Sequence, residues 1–193
     1  MHDLSGKKIV IVATHGFEQS ELEVPRDRLR SAGATVHVAS PEAEKIKGWD
    51  MKDWGREVPV DLTVDQVKAD DYDAIVIPGG QINPDLLRIN ERVLALIRDF
   101  DRQKKVIAAV CHGPWLLIET GIIKNRKATS YKSIKTDMLN AGAQWVDQPV
   151  VTDQGIITSR NPGDLEAFSN KIAEEILEGR HMQRQSASSQ AAE

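Results

Sequence analysis

The chain has 193 residues, 25 basic against 29 acidic for a net charge of −4, and 40% of it is hydrophobic. That is the size of one domain with a substantial core. No run approaches the ~18–20 apolar residues of a membrane span, and the mild acidity disfavours nucleic acid, whose phosphates need a concentrated basic face. One cysteine, Cys111, leaves no internal disulfide and no cysteine-based zinc cluster.

Residues 1–8 lack a signal peptide's apolar segment and lead straight into a strand, so a soluble, cytoplasmic protein is expected. Lys8-Ile9-Val10-Ile11-Val12-Ala13 is a continuous apolar run of strand length, and residues 35–39, 74–77 and 106–110 repeat it. Such runs suit parallel strands covered on both faces. Helices are predicted over residues 18–32, with Pro25 bending the first, and over 91–103, 114–119, 133–141 and 164–178. In the second, Leu94, Ile97 and Asp101 alternate with Val93, Leu96 and Phe100 at i, i+3, i+4 spacing. Strands alternating with helices through short Gly-rich connections imply an α/β fold with a doubly wound parallel sheet.

Residues 45–61 break the alternation. Gly48, Gly55 and Pro59 lie there among charges, with Trp49 and Trp54 interspersed, which reads as a hairpin or flap. The tryptophans serve either flap packing or a subunit contact. Residues 150–158 form a second hairpin turning at Asp153-Gln154-Gly155. From Arg180 onward the chain is rich in Gln, Ser and Ala, so a single domain over 1–179 and a disordered tail over 180–193 are expected.

Chemistry concentrates at strand ends. Cys111 follows the most apolar strand and precedes His112-Gly113-Pro114, which places it at a strand-to-helix elbow. A thiol there meets unpaired N–H groups and the positive end of a helix dipole, both of which favour thiolate. The arrangement parallels the serine elbow of α/β-hydrolases. The alternative is a lone cysteine packed as a small hydrophobe. Gly79-Gly80 ends another strand on the same edge, where paired glycines can form an oxyanion hole. Glu18 and Glu21, after the first strand, project from one helix face; a carboxyl beside the thiol would have a raised pKa and could donate to sulfur. Asn83-Pro84-Asp85 reads as N-cap, N1 and N2 of a further helix, which accounts for Asp85 structurally; orienting His112 is its other role. Because His112 adjoins Cys111 in sequence, it is expected to point away from the thiol, leaving room for an acid from another subunit.

The segments Gly16-Phe17-Glu18-Gln19-Ser20-Glu21-Leu22-Glu23-Val24-Pro25, Ile77-Pro78-Gly79-Gly80, Asn83-Pro84-Asp85-Leu86-Leu87-Arg88, Ala109-Val110-Cys111-His112-Gly113-Pro114 and Ala128-Thr129-Ser130-Tyr131 together resemble the ThiJ/PfpI superfamily, specifically its PfpI-type intracellular protease family. The resemblance implies a flavodoxin-like three-layer α/β/α sandwich, similar to class I glutamine amidotransferases, and a homodimer or a hexamer built from dimers. It puts the nucleophile on Cys111, the oxyanion hole on the elbow (His112, Gly113) and Gly80, and Glu21 against the sulfur with Glu18 lining the pocket. Tyr131 matches an aromatic near the pocket, and Asp85 matches an acid that reaches His112 of a neighbouring subunit. Ammonia transfer from glutamine is rejected, because those enzymes place a His and a Glu late in the chain and the only later histidine here is His181 in the tail. The implied activity is cysteine-dependent hydrolysis without metal or cofactor: deglycase or glyoxalase action on methylglyoxal or glyoxal adducts, intracellular peptidase action, or a redox-responsive stress role for Cys111.

Overall fold

A computed structural model of the chain describes residues 2–187. In chain order the elements are β1 (Lys8–Val12), β2 (Phe17–Glu18), α1 (Gln19–Ser31), β3 (Thr35–Ser40), β4 (Lys45–Asp50), β5 (Asp53–Pro59), β6 (Leu62–Thr63), β7 (Ala74–Ile77), α2 (Ile82–Leu87), α3 (Glu91–Arg102), β8 (Val106–Val110), α4 (Trp115–Glu119), β9 (Lys127–Ala128), α5 (Lys135–Asn140), β10 (Gln144–Trp145), β11 (Val150–Asp153), β12 (Ile156–Ser159) and α6 (Leu165–Glu178). The central sheet runs β11-β12-β8-β7-β1-β3-β6, parallel throughout except for the edge strand β11.

Period-two alternation explains why these strands are apolar on every residue. Val10, Val12, Ile75, Ile77, Ile107 and Ala109 face one core with Val93, Leu96 and Phe100 of α3 and Leu116 of α4. Ile9, Ile11, Val76, Ala108 and Val110 face the other, with Leu22 and Leu29 of α1 and Phe168, Ile172 and Ile176 of α6. Helices on both sides make the three-layer α/β/α sandwich expected of a doubly wound sheet. Asn90 starts α3, its side chain accepting from the Arg92 and Val93 N–H groups. Pro25 lies inside α1 without ending it. Among the described residues no helix is long and apolar enough to cross a membrane.

The predicted flap is a β4–β5 hairpin whose strand β4 pairs with β2, so it stands over the start of α1. Gln19 fastens it, its Oε1 accepting from Arg56 N at 2.6 Å, and Lys47 N donates to His15 Nδ1 at 3.0 Å. Trp49 and Trp54 meet edge-to-face with centroids 5.6 Å apart, the flap-packing alternative.

The tail departs from expectation. Residues 188–193 lie outside the described residues, but residues 180–187 fold back along the edge of the sheet where β8 and β12 begin. Composition missed this because the anchor is an arginine. Arg184 has a fully buried side chain, its Nε 3.1 Å from Asp101 Oδ1. Its guanidinium donates to Lys105 O at 2.8 Å and to Phe100 and Gln154 O at 3.2 Å. Asp101 Oδ2 accepts from Ala187 N, closing the strap. Burial pulls Arg184 down to about 10, with the Asp101 charge holding it up. Removing one partner of a buried pair strands the other charge, at about 3–5 kcal/mol. Arg184→Ala is therefore expected to lower the melting temperature by roughly 10 °C, and Asp101→Leu combined with Arg184→Met to recover most of it. An unchanged melting curve for Arg184→Ala would refute the clamp.

Candidate active site

Strand direction and helix placement bring the predicted residues to one edge. Because β1, β7 and β8 are parallel neighbours, the segments leaving their C-terminal ends converge there, at the point where the chain turns to opposite sides of β1. A pocket of about 540 Å³ opens at that point, lined among others by Glu18, Glu21, Gly80, Cys111, His112 and Tyr131, with Trp49 and Met51 of the flap at its rim. Trp49 thus also borders the pocket, which neither sequence alternative anticipated.

Cys111 ends β8 with φ at +62°, a left-handed conformation that costs a non-glycine residue about 1–3 kcal/mol. Its backbone is held on both sides: Cys111 N donates to Ser159 O at 3.0 Å, and Cys111 O accepts from Tyr131 N at 2.8 Å. Gly113 N donates to Val110 O at 2.8 Å, closing the turn before α4. The thiol is buried, 6% exposed.

Glu21 lies in the first turn of α1 with no exposed surface. Its Oε2 accepts from Gly79 N at 2.8 Å, while Oε1 accepts no hydrogen bond. Burial pushes Glu21 up to about 8, with the Gly79 N–H and the Cys111 thiol opposing. Burial also pushes the Cys111 thiol up, reinforced by the Glu21 charge and opposed by the Gly80 and His112 N–H groups. The two groups titrate as one unit, because a second negative charge in the same buried space is strongly disfavoured. At neutral pH the carboxyl holds a proton it can offer to sulfur. Glu18, half-buried at the pocket wall, is also raised, chiefly by burial.

Gly79 permits this contact. A Cβ there would stand 2.6 Å from Glu21 Oε2 and 2.7 Å from Cys111 Cβ. Gly80, at φ +79°, turns the chain where a side chain would strike the Gly16 carbonyl.

Two expectations need correction. His112 does not point away from the thiol: its Nδ1 lies 3.1 Å from Sγ, because the strained elbow rotates the next side chain back over the sulfur. Its Nε2 meets Ser133 Oγ at 3.0 Å, a partner that no sequence motif marked. Tyr131 stacks on the imidazole, centroids 5.0 Å apart, and Trp115 abuts it edge-on. Burial holds His112 below its usual value, with Asp137 opposing. Second, Asn83 is not a helix cap. It is fully buried inside α2, accepting from Thr14 N at 2.7 Å and donating to Pro78 O at 2.9 Å and Gly79 O at 3.2 Å, so it ties the ends of β1 and β7 together. A polar residue beside Gly-Gly was the only signal for it. Asp85, expected to serve His112 of a neighbouring subunit, makes no hydrogen bond to His112 of its own chain. It is exposed on α2, on a groove of about 490 Å³ that reaches His112, Ser133 and Asp137.

An α/β/α sandwich with one strained cysteine at a strand-to-helix elbow, a buried carboxyl against the thiol and a histidine over it defines a nucleophile-elbow class. Residues 7–175 match the DJ-1/PfpI family, and the chain belongs to it. It is 42% identical over 165 residues to Deglycase PfpI of Pyrococcus furiosus, covering 86% of this chain and 96% of the relative. It is 44% identical over 168 residues to General stress protein 18 of Bacillus subtilis, covering 86% and 95%. The crystal structure of Drosophila melanogaster DJ-1beta superposes with a TM-score of 0.81 at 33% identity, covering 88% of this chain and 90% of that one.

Ionising Glu21 in the folded chain has a consequence for stability. Below its ordinary value of 4.5 both folded and unfolded states hold the proton; between there and about 8 only the folded state does. Stability therefore falls as pH rises through this window. Glu21→Gln keeps the neutral shape and loses the penalty, so it should be more stable than wild type by about 2–4 kcal/mol near pH 8. The gap should close toward pH 4.5. Denaturant melts across this range check it, and a gap independent of pH would contradict the assignment.

Proposed function

We propose that the chain is a cysteine-dependent hydrolase that removes glyoxal-type adducts from amines and thiols. The observation that carries this reading is the buried, proton-bearing Glu21 set against the Cys111 thiol. Peptide hydrolysis needs a nucleophile and a base, whereas carbonyl-adduct chemistry also needs a group that shuttles a proton between adjacent carbons. The pocket volume supports an adduct over free dicarbonyl, since a small dialdehyde fills only a fraction of it.

In this mechanism His112 Nδ1 and Glu21 set the thiol's proton, and the thiolate adds to the aldehyde carbon of the adduct as the amine or thiol departs, giving a hemithioacetal. Glu18, or Glu21 once it has given its proton to the departing amine or thiol, takes the proton from that carbon and returns one to the neighbouring carbon, through an enediol, giving a thioester of the 2-hydroxy acid. Gly80 and His112 N–H groups face the developing oxyanion. Water then releases the acid and restores the thiol, so no external oxidant or reductant is consumed. The two contacts of His112 are consistent with both states: an S–H···Nδ1 arrangement donates Nε2–H to Ser133, and once the thiol proton has moved to Nδ1 the imidazolium donates Nδ1–H to the thiolate and keeps Nε2–H on Ser133.

The test is lactate release by the metal-free protein from methylglyoxal and from methylglyoxal-treated amine and thiol. Cys111→Ser is expected to lose at least about a thousandfold, in line with removal of a nucleophile. A fluorescent peptide runs in parallel. Lactate that survives in Cys111→Ser sinks the reading, and peptide cleavage without lactate favours the peptidase. Silence on both substrates with a readily oxidised thiol favours the redox role.

The same reading includes a homo-oligomer in which Asp85 reaches His112 of a neighbouring subunit. Support comes from the exposed face of α2 and its exit, where Ile82, Leu86 and Ile89 are 38%, 48% and 78% exposed around Asp85. Subunit mixing tests it. Asp85→Asn and Cys111→Ser, each impaired alone, should recover activity when co-assembled, because the intact cysteine of one subunit then meets the intact Asp85 of the other. No recovery in verified mixed oligomers would place Asp85 outside the site.

A further inference from the structure

The last turn of α6 and the strap behind it gather three metal-ligating side chains that the proposed chemistry does not use. Glu175 and Glu178 are three residues apart and share a helix face. The chain reverses at Gly179 and returns His181 to that face, where its N–H donates to Lys104 O at 2.9 Å and its ring packs over Gly155. One ligand atom from each of the three lies within 4.8 Å of the other two.

One of these groups, the His181 imidazole, has a ring nitrogen that the protein leaves unsatisfied. The Glu175 side chain is 7% exposed and faces His181 Nε2 at 3.4 Å, and that nitrogen is shut from solvent without a hydrogen-bond partner. The Gly155 N–H is the neighbour the carboxylate does engage. A buried imidazole nitrogen that faces a carboxylate without a hydrogen bond is costly unless a further group binds it. Glu178 is exposed and leaves the cluster open on its side.

We propose that Glu175, Glu178 and His181 form a site for a first-row divalent transition cation of the zinc type. Two carboxylates balance the dication, one imidazole supplies a nitrogen donor, and a fourth tetrahedral position stays open to water. Calcium and magnesium want six or more oxygens, which three side chains do not offer. Arg184, whose charge acts on His181, is committed to Asp101 at 3.1 Å. The site lies beside Lys104 and Gly155, at the edge of the sheet opposite Cys111, so the cation would pin the strap to α6 and take no part in the thiol chemistry. It stands apart from the expectation of a metal-free protein, which concerned catalysis. The family match covers residues 7–175, so Glu178 and His181 lie just past its end.

Calorimetric titration of zinc into full-length Cys111→Ser, which cannot hold the ion through sulfur, tests the site. One zinc per chain is expected, with a melting-temperature rise of roughly 5–10 °C at zinc a hundredfold above its dissociation constant. Glu178→Gln and His181→Ala should each weaken binding at least about tenfold. Glu178→Gln, on an exposed carboxylate, should keep the zinc-free melting temperature, which separates ligand loss from misfolding. Absence of saturable binding, affinity unchanged in both variants, or equal stabilisation by magnesium would overturn the proposal.

Discussion

A carboxyl with no exposed surface and a thiol with almost none cannot both ionise, and much of the sheet's C-terminal edge is arranged around that constraint. Glu21 must reach the sulfur, so the loop after β7 must carry nothing between them, and Gly79 supplies the gap. The Gly79 N–H must point at Glu21, so the strand end must be fixed, and Asn83 fixes it through three hydrogen bonds. Neither Gly79 nor Asn83 reacts, yet moving either of them by the width of a methyl group would change which atom holds the proton. The chemistry rests on a position accurate to a few tenths of an ångström, set by backbone.

The elbow is bound by the same economy. Cys111 accepts a left-handed backbone because that conformation lifts the side chain off the strand line and swings His112 over it. Its cost, of order 1–3 kcal/mol, is opposed by the paired strand β12 on one side and the Tyr131 N–H on the other. Tyr131 then covers the imidazole it helped to position. The residue that anchors the strained turn and the residue that walls the histidine are one and the same.

What the sequence disclosed follows from the range over which each signal acts. Strand–helix alternation, the two hairpins, the elbow and the spacing of Glu18 and Glu21 are local patterns, and they translated into structure within a residue or two. Asn83 was legible as a residue but not as a contact: Asn-Pro-Asp is a good capping string, and only the proximity of Thr14, 69 positions away, reassigns it. Ser133 carries no motif because its partner is set by how the segment after Cys111 returns to the pocket. Asp101 was visible on the buried stripe of α3, an acid where an apolar residue belongs, and that anomaly was the sign that a cation from elsewhere must enter the core. The cation, Arg184, sits in a stretch whose composition suggests solvent, since one buried arginine does not alter an average.

The two edges of the sheet carry different burdens. At the C-terminal edge a strained elbow and a buried acid each detract from stability, and both border the pocket at Cys111. At the N-terminal edge the Arg184–Asp101 pair and the strap secure the starts of β8 and β12. These are the strands whose far ends hold Cys111 and Ser159. Tightening a strand at its start limits how far its end can move, so a strap remote from the thiol still bears on the register that the elbow needs. A strap at the C-terminal edge would have had to grow around the pocket; at the opposite edge it adds rigidity without adding a residue to the pocket wall.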